Sequence, residues 1–204
     1  SVIFIAAVVS PPMFNVFSVD DPAQAAAAFQ ENVRGWRIAN GFAGIGALIA
    51  AAGIVVLARY LTALSENPQL RIAASLGATL VFIGALLWLV IQFDRMTVSP
   101  ERFVSGEALG GPWLFPLYVV VTLLGLIVIG YGLLKAGYPR WLGWFVIGVH
   151  SLLLVAGLAT QDAVPLNWHL SMLVLGIALL FVRPTASDPI HEEHLAVGRA
   201  PSGR

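Results

Sequence analysis

Six long apolar segments dominate this sequence, and they restrict its fold more than any other feature. A helix that crosses the hydrocarbon core of a bilayer needs about 20 apolar residues, and the last five segments have that length. Lipid offers no hydrogen-bond partners to an open backbone, so such segments must cross as α-helices. The sequence therefore predicts an all-α fold, a polytopic transmembrane bundle of about six spans. The predicted spans are residues 1–19, 38–60, 72–93, 113–134, 141–160 and 164–182.

The composition supports a membrane location and excludes several functions. Hydrophobic residues make up 58% of the chain and charged residues only 11%, whereas soluble domains carry about 25% charged residues. The 11 basic and 11 acidic residues balance, and no basic cluster occurs, which argues against nucleic acid as a partner. The chain has no cysteine, which excludes disulfides, thiol nucleophiles and thiolate metal ligands.

The positions of arginine and lysine predict the orientation in the membrane. The second loop, the fourth loop and the tail carry more of them than the first and third loops. Because basic loops stay on the cytoplasmic side, six spans place both termini in the cytoplasm. The chain opens at Ser1 within an apolar run, which we interpret as the remainder of a first membrane helix. Pro184 ends the last helix, and residues 184–204 are predicted to be a flexible cytoplasmic tail.

Two local signals shape the first third of the chain. The run Ser10–Pro11–Pro12 removes two backbone donors, which predicts a kink or break in the first apolar segment. Asp21 as N-cap, followed by Pro22 and by Gln24 closing a capping box, predicts the start of a helix. This helix is expected to cover about residues 22–34 and to lie near the outer interface.

His150 is the candidate for a cofactor site. It stands within the apolar run "WFVIGVHSLLLVAGL", about ten residues after Arg140 and therefore near the bilayer midplane at about 1.5 Å per residue. An axial ligand to a haem iron or a chlorin magnesium is one interpretation, and a proton relay is another. The alternative is an imidazole hydrogen-bonded to Ser151, to a backbone carbonyl or to a neighbouring helix. That alternative leaves the protein without a cofactor.

A second candidate site is a polar vestibule at the outer helix ends. Its polar residues all fall within about two turns of the predicted outer surface, and Arg37 and Asp94 would form its charged pair. Such a vestibule would bind a small ligand or an ion, although helix ends are also polar simply because they meet headgroups and water. The predicted vestibule consists of Arg37, Asn40, Gln92, Asp94, Asp162 and His169.

Other features predict packing rather than chemistry. The small residues Gly46, Ala50 and Gly53 form a stripe that fits either a contact inside the bundle or docking of another subunit. The sequence contains no phosphate-binding glycine loop, no HExxH and no GxSxG, so we predict no catalytic residues and no metal site. An aromatic belt at the two interfaces accounts for Trp36, Trp113, Trp141, Trp144, Trp168 and Tyr138, whereas Trp88 lies deeper.

The segment "KAGYPRWLGWFVIG" between the fourth and fifth spans resembles the Pro-Arg-Trp-Leu-Gly turn of uncharacterised six-helix bacterial membrane proteins, a domain-of-unknown-function family. The resemblance covers the six-span layout and this turn. It implies a six-helix fold in a bacterial cytoplasmic membrane, and it implies no activity.

Three functional hypotheses follow. The leading one is a non-catalytic accessory or scaffolding subunit of a larger bacterial membrane complex, respiratory or photosynthetic, with lipids and other membrane subunits as partners. The second is a haem- or chlorin-binding protein with His150 as axial ligand. The third is a small-solute or lipid transporter that uses the outer vestibule.

Overall fold

The structure is a computed structural model that describes residues 1–19, 21–64, 66–99, 102, 111–160 and 164–184. Within these ranges the regular structure consists of α-helices, which confirms the predicted all-α bundle. The helices are α1 (Val2–Val8), α2 (Pro11–Phe17), α3 (Pro22–Glu31), α4 (Val33–Leu64), α5 (Pro68–Thr97), α6 (Gly111–Lys135), α7 (Arg140–Thr160) and α8 (Pro165–Phe181).

Four of these helices, α4 to α7, are long and apolar enough to cross a membrane, so the chain is a membrane protein. They correspond to the second to fifth predicted spans, and α4 and α5 are longer than predicted at both ends. Helix α8 has 17 residues, which at about 1.5 Å per residue is slightly short of a typical ~30 Å core. Six spans and cytoplasmic termini stay predictions.

The long helices pack in chain order, and the terminal helices cover them. Helix α5 packs between α4 and α6, α7 packs on α6, and α8 contacts α7 and α1. Glycine permits a close contact between α5 and α6: a Cβ atom on Gly77 of α5 would lie 2.9 Å from the carbonyl oxygen of Gly125 on α6. The backbones of α5 and α6 therefore touch at this level, as in other small-residue interfaces between membrane helices.

The predicted break in the first segment is present. Helix α1 ends at Val8, Ser10 has an extended backbone, and α2 begins at Pro11. Helix α1 lies across α4, where a Cβ on Gly46 would be 2.6 Å from the backbone nitrogen of Phe4. This part of the small-residue stripe thus serves a contact inside the bundle, whereas the space around Gly53 is open.

Helix α3 is shorter than the predicted helix 22–34. It begins as expected, with the Asp21 carboxylate accepting a hydrogen bond of 2.8 Å from the amide of Ala23. Gln24 donates to the Asp21 carboxylate at 3.4 Å rather than closing the box on the backbone. The helix ends at Glu31 because Asn32 leaves the helical conformation, and Asn32 then caps α4 by accepting a bond of 2.9 Å from the amide of Gly35.

The turn between α6 and α7 is a Schellman motif. Gly137 has φ 77°, and the amide of Tyr138 bonds to the carbonyl of Leu133 at 3.3 Å. This geometry requires a residue that tolerates the left-handed region, which explains glycine in "KAGYPRW". The turn brings α7 back antiparallel to α6.

The aromatic side chains of the predicted belt differ in how deeply they are buried in the protein. Trp113, Trp141 and Trp144 are exposed, as an interfacial position requires. Trp36, Trp168 and Tyr138 are buried within the protein instead, because their helix ends are covered by other parts of the chain. Trp88 is buried, as expected from its depth.

Candidate functional site

One end of the bundle, where α5 ends and α8 begins, contains a cavity of about 450 Å³. We call it the Arg95 cavity. Its wall comes from α1, α2, α5, α6 and the start of α8, and most of the lining is aromatic or aliphatic. Phe14 and Phe17, which line the cavity, are also 56% and 50% exposed, so its mouth opens beside α2. Its lining includes Phe4, Val8, Phe17, Trp88, Arg95 and Phe115.

Arg95 supplies the charged group of this cavity. Its guanidinium carbon lies 5.3 Å from the ring centroid of Phe17 and 5.4 Å from that of Trp88, within the range of cation–π attraction. In the part of the chain that the structure describes, no carboxylate forms an ion pair with this guanidinium. The preceding residue, Asp94, is buried. Arg95 thus presents a positive charge among aromatic rings.

Trp36 positions the backbone of Arg95. The indole nitrogen of Trp36 donates a hydrogen bond of 2.8 Å to the carbonyl oxygen of Arg95, which joins α4 to the end of α5. Trp36 also packs on Phe29 of α3 and Phe17 of α2, with ring centroids 4.8 and 5.5 Å away. These contacts place α2 where Phe17 lies against Arg95. The break at Ser10 is therefore part of how this cavity forms.

Aromatic rings form the inner wall of the cavity. Trp88 stacks on Tyr118 with a centroid distance of 4.7 Å, and Phe4 stacks on His169 at 3.6 Å. Phe115 completes the group at 6.4 Å from Trp88. Tyr118 and His169, on the far side of these rings, line a second void of about 10 Å³.

Several buried polar atoms around this wall have no hydrogen-bond partner among the described residues. Buried polar groups in proteins are nearly always paired, so each unpaired group points to a bound molecule or to a cost in stability. The void lined by Tyr118, Thr122 and His169 has roughly the space of one water molecule. The unpaired atoms include Asn40 Oδ1, Trp88 Nε1, both amide atoms of Gln92, Thr122 Oγ1 and His169 Nδ1.

The structure brings together only part of the predicted vestibule. Asn40, Gln92, Asp94 and His169 are all buried at the Arg95 end of the bundle. Arg37 is exposed, because it follows the inward-facing Trp36 by about 100° around the helix. Arg37 therefore does not join Asp94 in the protein interior, and Arg95 is the cation among the described residues that line the cavity. Asp162 lies outside the described residues.

Asn40 and Gln92 lie where α4 meets α5. The side chain of Asn40 donates a hydrogen bond of 2.8 Å to the carbonyl oxygen of Trp36, one turn earlier. Gln92 packs beside Gly44: a Cβ atom added to Gly44 would lie 3.5 Å from the Cβ atom of Gln92. These two side chains are part of the protein interior rather than of an open vestibule.

His150 is buried in a hydrogen-bonded arrangement between α7 and α8. Its Nδ1 lies 2.6 Å from the carbonyl oxygen of Val146, and its Nε2 lies 2.8 Å from the hydroxyl of Ser171. A carbonyl only accepts, so Nδ1 carries the proton and the neutral ring accepts at Nε2 from Ser171. The Ser171 hydroxyl has one proton, which it shares between Nε2 of His150 and the carbonyl oxygen of Trp168, also 2.8 Å away. An axial-ligand role would require Nε2 to release Ser171.

Sequence reasoning missed Arg95 and the rings around it. The sequence analysis used Arg95 only as one of the basic residues in the predicted loops. Arg95 follows Trp88 by seven positions, however, so the two residues lie on the same face of a helix. Phe4 and Phe17 give no comparable signal, because only the break at Ser10 and the packing of α1 on α4 bring them here. Within the described ranges no three histidine, aspartate or glutamate side chains group as a metal site would require.

Comparisons with known proteins do not assign this chain to a family: no family model, no curated protein and no solved structure matches it. The resemblance of the "KAGYPRWLGW" turn to an uncharacterised bacterial family stays a prediction.

Proposed function

We propose that the protein is a non-catalytic integral membrane protein that binds an apolar ligand in the Arg95 cavity. The observation that carries this proposal is the cavity itself. Its volume of about 450 Å³ falls within the range of about 300–1,000 Å³ found for small-molecule sites. The described residues that line it combine an apolar wall with one charged group, Arg95, which is the composition typical of such sites. The related alternative from the sequence, a small-solute or lipid transporter that uses the outer vestibule, stays a prediction.

The proposal is tested by photolabelling the purified full-length chain in phosphatidylcholine nanodiscs. The probes are a diazirine-bearing hexadecanol and a diazirine-bearing palmitate, and labelled peptides are mapped by mass spectrometry. We expect saturable labelling of peptides that contain cavity residues, reduced by an excess of the same unlabelled molecule. Labelling that is confined to lipid-facing residues, or that no excess competes, contradicts the proposal.

A pair of neighbouring substitutions supplies the control. Val8 lines the cavity, whereas Val9 is 53% exposed and is not among the lining residues. Val8→Trp should fill part of the cavity and reduce saturable labelling by about tenfold, since displaced contacts are lost without replacement. Val9→Trp should leave the labelling unchanged. Equal labelling of both variants contradicts the proposed site.

The accessory-subunit hypothesis stays a prediction with its own test. Mild solubilisation of the native membrane, followed by identification of co-purifying proteins, should recover a stoichiometric complex. A chain that purifies alone and monodisperse contradicts it. The same sample tests the cofactor hypothesis, because a bound haem or chlorin gives a visible band that His150→Ala removes.

A further inference from the structure

We infer that the Arg95 cavity selects an amphiphile with one negatively charged head group and a single apolar chain, of the class of a fatty-acid carboxylate. This inference rests on the proposed function and specifies its ligand. The head group would bind the Arg95 guanidinium, and the chain would lie against the aromatic wall formed by Phe4, Trp88 and Phe115.

The charge argument begins with the setting of Arg95. Two aromatic rings approach its guanidinium to 5.3 and 5.4 Å, and the neighbouring Asp94 carboxylate attracts it electrostatically, but no described residue forms an ion pair or a hydrogen bond with the guanidinium. A guanidinium away from bulk water is costly unless an anion pairs with it. Its five donors form a planar fork that matches the two oxygens of a carboxylate. An anionic head group therefore supplies the partner that the described residues do not.

The shape argument concerns the rest of the cavity. Apart from Arg95 and Ser18, the described residues that line it have apolar side chains, including Val8, Met13 and Leu166. A small inorganic anion would satisfy Arg95 and leave this apolar wall without a contact. An amphiphile satisfies both, because its charged head group can bind Arg95 while its apolar chain contacts the apolar wall.

The access argument comes from the exposed cavity residues. Phe14, Phe17 and Val164 line the cavity and are 56%, 50% and 45% exposed. The mouth thus lies between α2 and the start of α8, at the end of the bundle where Arg95 sits. A chain that lies among lipids can enter there without unfolding a helix.

The experiment compares ligands that differ only in head group, on the unmodified protein. In the photolabelling assay with the palmitate probe, unlabelled palmitate should compete at about tenfold lower concentration than hexadecanol, because a hydrogen bond to a charged partner is the difference between them. Sodium acetate at the same concentrations should not compete. Equal competition by palmitate and hexadecanol overturns the inference, and so does competition by acetate.

A matched pair of arginine variants tests the residue. Arg95→Gln should abolish the preference for palmitate over hexadecanol, whereas Arg37→Gln, at an exposed arginine of α4, should keep it. An unchanged preference in Arg95→Gln overturns the inference. If that variant does not fold, the competition by palmitate and hexadecanol on the unmodified protein still tests it. Saturable labelling without head-group preference rejects the inference alone. Labelling without any saturation rejects the proposed function as well.

Discussion

His150 and Ser171 show how a polar pair can join two membrane helices. The imidazole bonds to its own helix through Val146 and to α8 through Ser171, and both residues are buried. Each partner satisfies the other in a region where an unpaired polar atom would be costly. This pair links α7 to α8 through side chains.

The His150–Ser171 bond should be measurable by a double-mutant cycle. We expect the single changes His150→Ala and Ser171→Ala, and the double change, to give a coupling free energy of about 0.5–1.5 kcal/mol. The measurement is equilibrium unfolding in mixed micelles. Thr79→Ala serves as control, because the Thr79 hydroxyl donates to the carbonyl oxygen of Ser75 in its own helix. Strict additivity of the two single changes would show that the bond contributes nothing.

Arg95 illustrates a residue whose importance depends on its neighbours. Its sequence position marks it as one of several arginines near helix ends. Phe17 and Trp88 come from α2 and α5 and give it an apolar setting. A helical pattern relates Arg95 to Trp88 but does not relate either to Phe17, because that contact depends on the path of the chain after Ser10.

Glycines determine how closely the long helices approach each other. At Gly77 an added Cβ would meet the backbone of α6, whereas at Gly148 on α7 nothing lies within 4 Å. Both residues are inside helices, where glycine is intrinsically less favourable than alanine. A substitution at Gly77 therefore tests mainly the packing between helices, whereas one at Gly148 tests mainly helix propensity.

Gly77→Ala and Gly148→Ala should change stability in opposite directions. Gly77→Ala should destabilise the bundle by about 1–3 kcal/mol, because the backbones of α5 and α6 must separate. Gly148→Ala should stabilise it by up to about 1 kcal/mol through helix propensity. Unfolding of each variant in the same micelles gives the difference. A destabilised Gly148→Ala, or a neutral Gly77→Ala, contradicts this account of the interfaces.

Among the described residues, the molecule combines four long helices with shorter helices that pack against them. Helices α1, α2 and α8 contribute to the Arg95 cavity together with α5 and α6. The second cluster of buried side chains, which includes Met13, Phe29 and Trp36, holds α2 and α3 against α4. This arrangement leaves a ligand-sized cavity at the end of the bundle where Arg95 lies.

The orientation predicted from the basic loops can be measured because the chain has no cysteine of its own. Glu31 lies in the first loop, which is predicted to face outward, and Glu66 lies in the second loop, which is predicted to face the cytoplasm. Each residue is replaced in turn, as Glu31→Cys and Glu66→Cys. A membrane-impermeant maleimide should label the Glu31 variant in intact cells and the Glu66 variant only after permeabilisation. The reverse labelling pattern would invert the orientation, and equal labelling would contradict the span order.

The sequence by itself determined the membrane character, the all-α class and the four long helices. Each follows from local quantities: the apolar length of the segments, and the low share of charged residues. The helix start at Asp21–Pro22 and the break at Ser10 are local signals of the same kind. Which faces meet depends instead on the azimuth of each helix and on close backbone approaches. The tertiary structure therefore decided that Arg37 is exposed, that Trp36 and Trp168 are buried, and that Arg95 lies among aromatic rings. Depth in the membrane can be counted along the chain, whereas side-by-side contact between distant segments cannot.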